Sequence, residues 1–361
     1  MKQRGNFWLV FASSFMGICL NVFPQNSNPS YSVAILGVGE ARGVNNAGQV
    51  VGVKGSDAVV WSQGTLLDLG PGIAYSINAS GQVVGGGSGS ASLWTGTTRT
   101  DLGALVPAGA QYAYGLNDSG QAVSNAISPS GVSAVLWSGG SASYLPSNSF
   151  GLANAINNNG EIVGAVQINN NGDGHAILWT IASSLDLGTL GGVNSEAYDI
   201  NDYGLVVGDA QRIDGVTHAT TWTPSSNGYV LSDLGSLGGK SYAVSVNNAG
   251  VVDGISYLSP DSNSAKVPFV YLDGTMYNLE QLLAPGSGIT DLTLDPLGNN
   301  LNDLGQIAAT ATEITSGQRV AVLLTPSAVP EPSSLALMTV VLGVFGVRRA
   351  RGRPLAANKF R

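Results

Sequence analysis

Cysteine, histidine and charge are all scarce in this chain. A single cysteine, Cys19, stands among 361 residues. No disulfide can form within the chain, and no cysteine-based metal site exists. Cys19 lies in an apolar N-terminal run, so the body that follows is cysteine-free, a composition that suits an oxidising compartment. The two histidines, His175 and His218, are too few for a histidine-based metal centre without a converging third ligand. No G-x-S-x-G elbow and no cysteine nucleophile occur in the body. Charged residues make up only 11%, and between Tyr31 and Ala328 seven basic residues face 22 acidic ones. Such a body lacks the clustered Lys and Arg that nucleic acid requires. It remains compatible with cations, with neutral glycans, or with an acidic solvated surface.

What is abundant is glycine, 50 residues without a collagen triplet period, in a chain that is 43% hydrophobic. Short strands joined by many turns fit that mixture. The octet "NNAGQVVG" at Asn45–Gly52 supplies the pattern. It returns as "NASGQVVG", "NDSGQAVS", "NNNGEIVG", "NDYGLVVG", "NNAGVVDG" and "NDLGQIAA". The anchoring residues are Asn45, Asn78, Asn117, Asn157, Asn201, Asn247 and Asn302, at steps of 33, 39, 40, 44, 46 and 55 residues. An alanine stands four positions before the first six, and Gly298 before the seventh. The N-x-x-G core reads as a hairpin turn, with Asn opening a type I turn and Gly supplying the left-handed residue. An "xxxW" strand follows each octet and places Trp61, Trp94, Trp137, Trp179 and Trp222 at one repeat position, with Tyr271 and Leu324 standing in for the last two. These residues are the expected repeat core. "DLG" at Asp68, Asp101, Asp186 and Asp233 then ends a fourth strand, replaced by "YLP" at Tyr144 and "NLE" at Asn278.

Four short strands per repeat hold too little core to stand alone, so neighbours must stack. The expected fold is all-β: a seven-bladed β-propeller of four-stranded repeats over residues 31–326. The last unit lacks its own fourth strand, and the unassigned "YSVAILG" before the first octet is expected to pair with Arg319–Thr325 and close the ring. A β-solenoid is the rival, but it needs caps that the sequence does not display. The repeats resemble the HAF family of extracellular proteins in "HAILW", "HATTW", "DLGTLGG", "DLGSLGG" and "AYDIND". That resemblance implies secretion and repeats of this size, and no established chemistry.

Both ends read as addresses. Residues 1–24 have the form of a signal peptide, a basic start before the apolar run Phe7–Leu20. Residues 327–361 carry Val329-Pro330-Glu331-Pro332, an apolar run at Leu335–Val347 expected to form a short membrane helix, and the cluster Arg348, Arg349, Arg351 and Arg353. Cations after an apolar run hold that end in the cytoplasm. This order resembles the PEP-CTERM sorting domain of Gram-negative bacteria, although "PLAANKFR" makes a longer ending than usual. The resemblance implies export to the cell surface or beyond, processing by an exosortase (a membrane cysteine protease-transpeptidase), an association with exopolysaccharide, and a transient or permanent C-terminal membrane anchor.

No cofactor, metal or catalytic residue is assigned. His175 and His218 occupy one repeat position, which other units fill with Asp57, Ser90, Ser133, Val267 and Val320. "NNNGDG" at Asn169–Gly174 imitates half a calcium loop but has Thr180 where the bidentate acid belongs, and reads better as a hairpin tip. The longest insertion between second and third strands, Ser256–Phe269, holds Tyr257 and Asp261. The expected function is a non-catalytic binding or structural component of an exopolysaccharide or biofilm matrix, with polysaccharide or envelope proteins as partners. The alternative is a secreted propeller enzyme, a polysaccharide lyase or glycoside hydrolase. Asp, Tyr and His clustered on a pore-facing surface favour the enzyme; exposed aromatics without a carboxylate pair favour glycan binding.

Overall fold

A computed structural model describes residues 29–327, apart from 107–108, 129–130, 147–149, 170, 181–182 and 262. The signal-peptide region, the Val329–Pro332 motif, the apolar run at Leu335–Val347 and the arginines Arg348, Arg349, Arg351 and Arg353 lie outside the described residues. Ser30–Ser327 form one compact unit.

That unit is all-β and propeller-like, built of repeated four-stranded antiparallel sheets. The fourth repeat shows the plan: Gly151–Ile156, Ile162–Gln167, Gly174–Trp179 and Ser184–Asp186 pair in sequence order. The first two repeats are fused into one seven-stranded sheet by the long strand Thr65–Ile77. Its first half pairs with Asp57–Ser62 and its second half with Val83–Gly87. In the last repeat Ile289–Thr293, Ile307–Glu313 and Arg319–Pro326 are joined by Tyr31–Val38, which pairs antiparallel with Arg319–Pro326.

The octet is the hinge between first and second strands. The Asn45 carbonyl accepts from the Gly48 N–H at 3.0 Å, and Gly48 takes φ +71°. The Asn45 side-chain oxygen accepts from the backbone N–H groups of Ala47 and Gln49. Its amide points the other way and donates to the Asn78 carbonyl at 3.0 Å. The same bond runs from Asn78 to Asn117, Asn117 to Asn157, Asn157 to Asn201, Asn201 to Asn247 and Asn247 to Asn302. Asn302 then donates to the Asn45 carbonyl at 2.9 Å, so the chain of bonds returns to its start. Only Asn does both jobs, because its amide carries an acceptor and a donor on one short side chain.

The alanine before the octet in six repeats and the glycine that closes it in five have one shared cause. The first strand carries a β-bulge just after the alanine, as between Ala41 and Gly43 or Ala197 and Asp199. The bulge drives the first-strand backbone against the second strand. A Cβ on Gly52, Gly85, Gly164 or Gly208 would sit 1.8–2.0 Å from a first-strand carbonyl oxygen. The extra residue of each bulge, Arg42, Tyr75, Tyr114, Asn154, Tyr198 or Val244, is re-aimed out of the pairing pattern.

Apolar clusters straddle consecutive repeats. Trp94 packs with Val51, Ala58 and Val60 of the repeat before it, and Trp222 with Val163, Ala176 and Leu178. Trp61 packs against Ala308 and Ala321 of the last repeat. The five tryptophans are all buried, at 4% exposure or less. Tyr271 is only partly buried, and Phe269, two residues earlier on the same strand face, is the fully buried aromatic there. The bulk has moved by one alternation, since other repeats place Val59, Ser92 or Thr220 at the position of Phe269.

Candidate functional site

Antiparallel order puts the octet turns at one end of every sheet and the variable second-to-third-strand connections at the other. The bulged residues of the first strands and these connections together build the second end. Two hollows occupy it. One, of about 730 Å³, is lined by residues of the first, second and last repeats, among them Glu40, Arg42, Ser56, Ile73, Gly86, Gln318 and Arg319, and by Gln111 and Tyr112. The other, of about 750 Å³, lies in the second and third repeats and shares Gly89, Gln111 and Tyr112 with the first. Tyr112 is thus the wall common to both.

The position of Tyr112 depends on the glycine run Gly85-Gly86-Gly87. A Cβ on Gly86 would come within 2.3 Å of the Tyr112 ring and 2.6 Å of the Gln111 carbonyl. The ring lies directly on the strand backbone. It stands edge-on to Tyr75, with centroids 5.8 Å apart, and Tyr75 meets Tyr114 at 5.3 Å. The Arg42 guanidinium lies 5.1 Å from the Tyr75 ring centre and is paired with Asp295 and Glu40. Burial pushes the Tyr75 hydroxyl up to about 12, partly offset by Arg42.

A second constellation sits in the fourth, fifth and sixth repeats. Glu196 and Asp209 are cross-strand neighbours. The Tyr198 side chain lies beside both, and the Asn154 amide donates to Glu196 at 2.9 Å. Burial raises both carboxyls, Asp209 to about 7. Nearby, Tyr242 meets Tyr257 at 6.3 Å and Lys266 lies over the Tyr257 ring. Deeper, Asp199 and Asp253 are buried. Desolvation lifts Asp199 to about 7 and Asp253 well above the carboxylate range. One Asp253 oxygen has no partner among the described residues.

The histidines do not converge. The Nδ1 of His175 bonds Asp186 at 2.8 Å and that of His218 bonds Asp233 at 2.8 Å, each within its own repeat. Each aspartate also accepts from the glycine two residues on, so histidine and "DLG" form one structural latch. In "NNNGDG", Asn169 and Asp173 bond each other at 2.7 Å across the hairpin tip. Asp261 accepts from the Asn263 N–H inside its own loop. No group of three or more His, Cys, Asp and Glu among the described residues could hold a metal ion. The tryptophans take no part in the hollows. The tyrosine wall went unread in the sequence because the bulge, which re-aims Tyr75 and Tyr114, has no signature beyond the alanine and the closing glycine.

Among the described residues no helix is long and apolar enough to cross a membrane; the expected anchor at Leu335–Val347 lies outside them. No curated protein matches the chain. Among solved structures it is similar to YCF48 from Cyanidioschyzon merolae, with TM-score 0.46 and 10% identity over 82% of this chain and 98% of that one. It is also similar to an arginine-to-alanine triple mutant of AofleA from Arthrobotrys oligospora, with TM-score 0.35 and 12% identity over 84% and 91%. The PEP-CTERM protein-sorting motif matches residues 328–351. That motif implies export, envelope or cell-surface sorting, and recognition by an exosortase-type processing enzyme. The C-terminal tail, rather than the repeat body, carries the PEP-CTERM protein-sorting motif, which supports a secreted protein sorted through that tail.

Proposed function

We propose that the chain is a non-catalytic, glycan-binding component of an extracellular matrix, carried on a seven-bladed propeller that the N-terminal strand closes. The observation that carries the binding reading is Tyr112, partly exposed between two hollows of about 730 and 750 Å³. Those volumes are of the order that encloses a small ligand. An aromatic face suits the apolar face of a sugar, and the glutamines and serines around it offer hydrogen bonds to hydroxyls. The full chain in detergent should retain neutral or acidic oligosaccharides on a glycan array, and Tyr112→Ala should abolish that retention. An array that stays blank, or a variant that binds as well as the parent, overturns the reading.

Closure rests on the pairing of Tyr31–Val38 with Arg319–Pro326 and on the bond from Asn302 back to Asn45. Deleting residues 31–37 should lower thermal stability and promote self-association; a monomer of unchanged stability contradicts closure. For the tail, intact-mass spectrometry of protein from the native envelope should show cleavage near Pro330–Pro332. A mature chain still ending at Arg361 sinks processing.

The enzyme reading has one observation in its favour, the Glu196–Tyr198–Asp209 group with its raised carboxyls. Those residues line neither large hollow, which is why binding is preferred. Release of reducing ends or unsaturated sugars from a bound polysaccharide, lost in Asp209→Asn, would reverse that preference.

A further inference from the structure

We infer that the hollow of the first, second and last repeats selects an acidic saccharide, one bearing a uronate-type carboxylate, over its neutral counterpart. The inference rests on the glycan-binding reading and adds the ligand's charge.

The reason is where the scarce cations lie. The body has only seven basic residues. Two of them, Arg42 and Arg319, line this one hollow, and a third, Lys54, stands between its lining residues Val53 and Gly55. Arg42 is spent internally, paired with Asp295 and Glu40 under the tyrosines. Arg319 is different. Its two terminal nitrogens donate to the Asp291 carbonyl at 3.0 Å and to the Thr293 hydroxyl at 2.6 Å. Both acceptors are neutral, and Arg319 forms no ion pair among the described residues. Those two bonds orient the guanidinium and leave its charge uncompensated at the rim. Lys54 is exposed and likewise without an ion pair among the described residues.

A cation held by neutral groups in an acidic protein favours an anionic partner. A planar guanidinium fits a carboxylate, and the spare N–H groups can still donate to it. Phosphate would also meet the charge. The Tyr112 wall and the surrounding glutamines favour a ring with an apolar face and several hydroxyls, so a sugar acid matches more of the lining. Glu40, the one carboxylate in the lining, is partnered by Arg42 and can accept from a sugar hydroxyl.

Calorimetric titration of the full chain with tetragalacturonate, its fully methyl-esterified form and inorganic phosphate tests this. The expected result is that the acid binds at least about tenfold more tightly than the ester. That margin should shrink as salt rises. Arg319→Gln should erase the difference by weakening the acid far more than the ester, and Lys54→Gln should reduce it in part. Tyr112→Ala should weaken acid and ester alike. Equal binding of acid and ester by the parent, or an Arg319→Gln variant that keeps the preference, overturns the inference and leaves glycan binding standing. Phosphate binding as tight as the acid overturns the sugar as the source of charge recognition. Binding of neither saccharide at millimolar concentration overturns the inference, and the neutral sugars of the array then decide the parent reading. Unchanged unfolding midpoints of Arg319→Gln and Lys54→Gln keep a folding defect from imitating a loss of binding.

Discussion

Replacing Asn201 by alanine tests whether the octet amides hold the repeats to one another. Asn201 is buried at 6% exposure. Its amide donates to the Asn247 carbonyl at 2.9 Å, and its oxygen accepts from the N–H groups of Tyr203 and Leu205 at 3.0 Å each. Alanine removes all three bonds and provides no substitute. At about 1 kcal/mol net per bond, the loss is about 3 kcal/mol. Asn201→Asp separates the two roles. It keeps the oxygen that closes the turn but sets a second oxygen against the Asn247 carbonyl, so the turn survives and the link to the next repeat is lost. Urea titration of the full chain, followed by tryptophan fluorescence, reads both. Asn201→Ala should fall by about 2–4 kcal/mol, and the aspartate variant should also be destabilised. A change within about 0.5 kcal/mol for alanine, the level of an ordinary surface substitution, would refute the claim that these amides carry the inter-repeat contact. Stability of the aspartate variant equal to the parent would leave the turn role and remove the link.

Trp222→Ala, at a fully buried site between the fourth and fifth repeats, should cost about 3–5 kcal/mol by the same titration. Acrylamide should quench the folded emission weakly, since all five repeat tryptophans are buried; strong quenching would remove them from the core. The folded chain holds protons on Asp199 and Asp253 that the unfolded chain releases above about pH 4. Stability should therefore be fullest below about pH 4 as far as these groups act, and be lost toward the Asp199 value of about 7, at most ~1.4 kcal/mol per pH unit per group. Asp253→Asn should match the parent at pH 4 and exceed it at pH 8; equal urea midpoints at pH 8 would contradict the buried-acid assignment. Gly86→Ala should displace Tyr112 from the strand it lies on, cost about 1–3 kcal/mol and change the near-ultraviolet dichroism. An unaltered tyrosine signal would show that the wall does not depend on that glycine.

Much was legible in the sequence because a repeat states its local rules several times. Asn and Gly at fixed spacing name a turn through their own backbone preferences, and strand alternation places one tryptophan per unit on the inner face. The all-β class, the four-stranded repeats and the sorting tail follow from such local and periodic signals. What the sequence withheld depends on residues far apart in the chain. The octet asparagine looked like a turn former, yet its amide also donates to a carbonyl 33 to 55 residues onward, or 257 residues back for Asn302. The glycine that closes five of the octets carried no reading of its own in the sequence, yet at Gly52, Gly85, Gly164 and Gly208 a bulged neighbour strand leaves no room for a Cβ. Tyr75 and Tyr114 looked like ordinary strand residues until that bulge re-aimed them toward Tyr112 and Arg42. Asp253 fills a position that five other repeats give to valine and the last to Ala308, and only packing reveals it as a buried acid. Local conformational preference is written residue by residue and can be read there. Which side chains share a hollow is set by how the sheets stack, and that only the tertiary structure decided.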